Sequence, residues 1–140
     1  MPETVSKLTF NGGMQFTATQ KDGLSIILDT SYDGKPAEGP APMEVLLHAL
    51  GGCSGMDVVF MLRKMKREPQ KLDINLQGIQ ADKHPKIYRQ INITYSAQAE
   101  GLRLAELEKA VKMSLEKYCS VALGLDKDIK INWKCEVIEG

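Results

Sequence analysis

Apolar residues alternate with polar ones three times in the opening third of the chain. Leu8 and Phe10 form the first set, Met14, Phe16 and Ala18 the second, and Leu24, Ile26 and Leu28 the third. A period of two is the mark of a strand with one face buried. Asn11-Gly12-Gly13 and Lys21-Asp22-Gly23 separate the sets with residues that accept tight turns, so the segment predicts a β-meander. Tyr32 to Pro42 holds three prolines and two glycines and predicts a loop.

At Pro42 the period changes. Proline suits the first helical turn, where its missing N–H is no loss. Apolar residues from Met43 to Met65 then fall nearly all round a helix, which predicts burial on most sides. Gly51, Gly52 and Gly55 each cost a helix about 1 kcal/mol relative to alanine, so they predict close approach of another backbone or a ligand near Cys53. Arg63, Lys64, Lys66 and Arg67 suit a helix C-terminus, and Pro69 stops it. Leu72, Ile74 and Leu76 alternate next, followed by Ile91, Ile93 and Tyr95. Leu104, Leu107, Val111, Ser114, Leu115 and Tyr118 follow helical spacing. The chain closes on a strand through Ile129, Ile131, Trp133, Cys135 and Val137. Three strands, a long helix, two strands, a helix and a last strand predict an α+β fold built from runs of strands rather than repeated βαβ units.

A chain of 140 residues suggests one domain, covering 1–140. Its 18 basic residues balance 18 acidic ones, so no whole-molecule field draws it to nucleic acid or an anionic membrane, and neither is an expected partner. Met1 to Lys7 lack the apolar core of a signal peptide. Met43 to Leu62 carries Glu44, His48 and Asp57, which argues for a buried helix rather than a membrane span. Three widely spaced cysteines do not form a secreted disulfide framework. A cytoplasmic location is expected, where a disulfide is more often catalytic than structural.

Cys135 shares the parity of its apolar strand and reads as a small core residue. Cys53 stands between Gly52 and Ser54-Gly55, which would leave space beside its sulfur; it is either a reactive thiol or a buried one. Asp57 lies one turn on and would raise its pKa, so a nucleophilic Cys53 needs a cation nearby. Cys119 follows the last helix and could open a short helical turn whose N–H groups favour a thiolate. No CxxC or HxxxH spacing is present, and His48 and Cys53 lie roughly 140° apart on a helix, so no metal or cofactor is implied.

Two segments resemble one known family. Gly39-Pro40-Ala41-Pro42-Met43-Glu44-Val45-Leu46-Leu47-His48-Ala49-Leu50-Gly51-Gly52-Cys53 is similar to the central-helix motif of OsmC/Ohr proteins, and Glu116-Lys117-Tyr118-Cys119-Ser120-Val121 to the segment carrying their second cysteine. The resemblance spans nearly the whole chain and is nearest the YhfA-like branch. It implies antiparallel β-sheets packed around a long buried central helix in an intertwined homodimer. It also implies a thiol-dependent peroxidase that reduces organic hydroperoxides in oxidative-stress defence. Cys53 would form a sulfenic acid, Cys119 would close a disulfide on it, and an external dithiol would reduce that bond.

Two positions depart from the family pattern. Its carboxylate directly follows the proline, where this chain has Met43; Glu44 is next in line for that role. Its arginine lies near a turn between early strands, where the nearest match is Lys21, a point charge without arginine's planar, bidentate contact. Glu44 and Cys53 are nine residues apart, roughly 13.5 Å of rise and about 180° of rotation on one helix, so a contact between them calls for a second subunit or a broken helix. Two other functions fit the same residues. One is a dimeric protein that binds a lipid, acyl or reactive-sulfur molecule without turnover; the other is a cysteine redox sensor.

Overall fold

The computed structural model describes residues 1–139. It forms two compact units, Met1–Leu46 and the residues from Leu47 onward. In the first, β1 (Ser6–Phe10), β2 (Phe16–Gln20) and β3 (Ser25–Leu28) make an antiparallel meander in chain order. Gly12 and Gly13 turn the first hairpin at positive φ, a region open to glycine without a Cβ clash. The register sets Leu8 beside Ala18, Phe10 beside Phe16 and Ala18 beside Ile26, so the alternating sets share one face. Within this unit Leu8, Phe10 and Ile26 on that face are exposed. Asp29 holds the following loop: its carboxylate accepts from the Glu38 and Thr30 amides and from Gln15 Nε2. These bonds, the Glu38 amide foremost, hold its pKa below the usual value.

The helix α1 (Pro42–Lys64) starts in the first unit and enters the second. There β4 (Pro69–Gln80), β5 (Tyr88–Ala99) and β6 (Lys130–Val137) form a sheet in that order. β4 and β5 are antiparallel, but β5 and β6 are parallel, unlike the wholly antiparallel sheets expected. The cause is the connection. Between β5 and β6 the chain runs through α2 (Leu104–Met113), a π-helical turn (Ser114–Tyr118) and α3 (Ser120–Gly124), a crossover long enough to return it to the same end of the sheet.

One sheet face carries Leu72, Ile74 and Leu76 from β4, Ile91, Ile93, Tyr95 and Ala97 from β5, and Trp133 and Cys135 from β6. The other carries amides: Asn92 Nδ2 donates to Gln77 Oε1 and Asn132 Nδ2 to Asn92 Oδ1. α1 lies on the apolar face through its glycines. A Cβ on Gly51 would stand 2.8 Å from Leu76 Cδ1, and one on Gly55 2.8 Å from Ile74 Cδ1. The close approach expected of these glycines is therefore to side chains of the sheet. Burial of α1 is one-sided: Leu50, Ser54, Val58, Met61 and Leu62 are buried, whereas Met56 is 77% and Phe60 63% exposed.

Candidate active site

Cys53 sits in the middle of α1, and its surroundings differ from those expected. Ser54 is fully buried and Gly55 is filled by Ile74, so neither leaves room beside the sulfur. Gly52 alone among these neighbours faces open space, and Cys53 itself is half-buried.

Cys119 arrives by a change of helical pitch. A continuous α-helix through Tyr118 would keep that residue on the apolar face. Instead the Cys119 N–H donates to the Ser114 carbonyl at 2.6 Å, the i to i−5 bond of a π-turn. The wider turn advances the register by one residue. Tyr118 is 48% exposed and Cys119 is completely buried. Cys119 then serves as N-cap of α3, its sulfur accepting the Ala122 N–H at 3.4 Å, which is the helical opening expected for it.

The two thiols are neighbours, close enough for Cys53 to act on the titration of Cys119. Burial pushes the Cys119 thiol up to about 11; the Ala122 amide opposes this, while the neighbouring Cys53 reinforces it. The short helix therefore does not make Cys119 a ready thiolate, because desolvation outweighs its N–H groups. Cys135 lies apart from the pair, in register with Tyr95 on the sheet, and burial followed by the charge of Glu108 raises it to about 12.

Beside the cysteines runs a polar chain that the sequence reading did not single out. Tyr95 OH is 2.7 Å from Ser54 Oγ, which is 3.0 Å from Ser114 Oγ, and Ser114 Oγ donates to Asp57 Oδ2 at 2.8 Å. Tyr95, Ser54 and Ser114 are buried. Burial foremost, with the nearby charges of Cys119, Cys135 and Asp57, raises the Tyr95 phenol to about 12. One signal was available: Ser114 falls in the apolar register of its helix, and a hydroxyl in a core position needs a partner. A cavity of about 490 Å³ opens next to this chain, lined by Asp57, Phe60, Met61, Met113 and Tyr118 with Lys64 and Lys109. Neither cysteine lines it.

Glu44 and Lys21 belong to the other unit. Glu44 is exposed in the first turn of α1, where Oε1 accepts the Ala41 N–H at 3.0 Å, the work of a helix-terminal carboxylate. Lys21 is exposed in the turn between β2 and β3.

Comparison with known proteins places these features in context. Residues 33–134 match the model of a family described as OsmC-like protein. Protein YhfA of Escherichia coli K12 is 34% identical over 126 residues, 90% of this chain and 92% of its own. The crystal structure of a hypothetical protein from Aquifex aeolicus is 35% identical with a TM-score of 0.80, covering 99% of this chain and 100% of that one. An organic hydroperoxide resistance protein from Legionella pneumophila, 16% identical, shares the fold at a TM-score of 0.67 over 98% of both chains.

Proposed function

Because this chain belongs to the family of OsmC-like proteins, we propose that it is a thiol-dependent peroxidase reducing organic hydroperoxides through Cys53 and Cys119. The observation carrying this reading is a pair of neighbouring cysteines of unequal exposure, Cys53 half-buried and Cys119 buried. Cys53 is the accessible member and takes the nucleophile's part. Its thiolate attacks the distal peroxide oxygen and the O–O bond breaks. The alkoxide leaves, gains a proton and becomes an alcohol, and Cys53 becomes a sulfenic acid. Cys119, buried beside Cys53, then attacks the Cys53 sulfur. The displaced hydroxide leaves as water with the Cys119 proton, and an external dithiol reduces the disulfide by exchange. In this reading Glu44, one residue past the family's carboxylate position, and Lys21, the nearest match to its arginine, take over those two roles. A cytoplasmic setting, whose reductants keep thiols active, fits this chemistry.

The functional particle is a homodimer in the same proposal. The exposed side of α1, with Met56 and Phe60, and the exposed apolar face of β1–β3 support it, since contiguous apolar faces of this kind mark interfaces.

The test is turnover of cumene hydroperoxide against hydrogen peroxide with dithiothreitol as reductant, for wild type, Cys53→Ser and Cys119→Ser. Wild type should prefer the organic peroxide. Cys53→Ser should be inactive, and Cys119→Ser should accumulate Cys53 sulfinic acid by mass spectrometry. If wild type forms no Cys53–Cys119 bond and the two variants oxidise alike, the two-cysteine mechanism is wrong. The non-catalytic binding protein then becomes the better reading.

A further inference from the structure

The buried polar chain joins the two segments that carry the cysteines. Ser54 is the next residue after Cys53, and Asp57 is one helical turn beyond it. Ser114 opens the π-turn that Cys119 closes. The hydroxyl of Ser114 is held by α1, 2.8 Å from Asp57 Oδ2 and 3.0 Å from Ser54 Oγ. Its carbonyl accepts the Cys119 N–H at 2.6 Å. A single residue thus touches the Cys53 helix with its side chain and the Cys119 backbone with its main chain.

We infer that Ser114 is a positioning residue that sets the separation of Cys53 and Cys119, and so the ease with which the pair closes a disulfide. This deepens the two-cysteine reading and rests on it. The Ser114 hydroxyl is within donating distance of two acceptors on α1, Ser54 Oγ and Asp57 Oδ2, and Ser54 Oγ shares a further hydrogen bond with Tyr95 OH. These partners hold the Ser114 side chain against α1, and the same residue opens the π-turn. A disulfide tolerates only a narrow range of Cα separations, so a turn free to slide along α1 would close the bond poorly.

The experiment measures the equilibrium between the Cys53–Cys119 disulfide and mixtures of reduced and oxidised glutathione, which reports the effective concentration of one thiol at the other. It needs no peroxidase turnover, so failure of the peroxidase assay and failure here are read separately. Ser114→Ala should lower the effective concentration by about tenfold or more, since small misplacements of reacting groups are costly. Ser54→Ala should lower it in the same direction. Leu107→Ala, a fully buried change two turns earlier on α2, is the control for lost stability. It should destabilise the fold at least as much in urea yet leave the effective concentration within about twofold. If Leu107→Ala and Ser114→Ala lower it alike, or if Ser114→Ala matches wild type, the positioning role is overturned. A wild type that forms no such disulfide in any glutathione mixture overturns both this inference and the two-cysteine mechanism.

Discussion

Raising the pH should accelerate the step in which Cys119 closes the disulfide on oxidised Cys53. The Cys119 thiol is pushed up to about 11, and the leading cause is burial, which persists whatever the oxidation state of Cys53. A thiol with that pKa is about one part in 10⁴ thiolate near pH 7 and about one part in 10² near pH 9. The thiolate is the attacking species, so closure should quicken about tenfold per pH unit, or about a hundredfold across that span. Stability sets the upper limit of the range. The fold favours the protonated thiol, so this contribution is complete below the unfolded pKa near 9 and is lost as pH climbs towards about 11. The measurement should therefore stop near pH 9. One equivalent of cumene hydroperoxide would oxidise Cys53, and dimedone quenching at timed intervals with mass spectrometry would follow the sulfenic acid into the disulfide. A closure rate that is flat across the range, or levels off near neutrality, would show that Cys119 is already ionised and that burial does not control it.

Three further outcomes are expected. Cys135→Ser should leave hydroperoxide turnover within about twofold of wild type while lowering stability by about 1 kcal/mol in urea denaturation, because it buries a hydroxyl; activity lost with the fold intact would assign the third cysteine a role. Gly55→Ala should gain about 1 kcal/mol of helix propensity but lose about 1–3 kcal/mol by overpacking against Ile74, and adding Ile74→Val should recover much of the loss. A Gly55→Ala protein stabilised by the full propensity gain, with no coupling to Ile74→Val, would contradict the close approach of α1 to β4. In sedimentation velocity at micromolar concentration the chain should run as a dimer with an interface burying more than about 2,000 Å², and a monomer would remove the homodimer from the proposal.

The elements themselves were legible along the chain. Alternation in Leu8–Phe10, Leu72–Leu76 and Ile131–Val137 marks strands because a side chain's face follows from its own position in the pleat. The change of period at Pro42 marks the start of the long helix, and the parity of Cys135 with Trp133 placed it on the apolar face for the same local reason. The two segments around Cys53 and Cys119 carried the family likeness, since motifs are also local. Strand direction was not legible: a period of two reads the same both ways, and the long connection through α2 made β6 parallel to β5. Nor was the role of Gly55, because the Ile74 side chain filling its place lies on another element. Ser114 looked like one more position on a helix face. Only folding brought it to Ser54 and Asp57, 60 and 57 residues away, and introduced the π-turn that buries Cys119 in place of Tyr118. Periodicity records whether a residue faces the core. It does not record which distant donor or acceptor will meet it there.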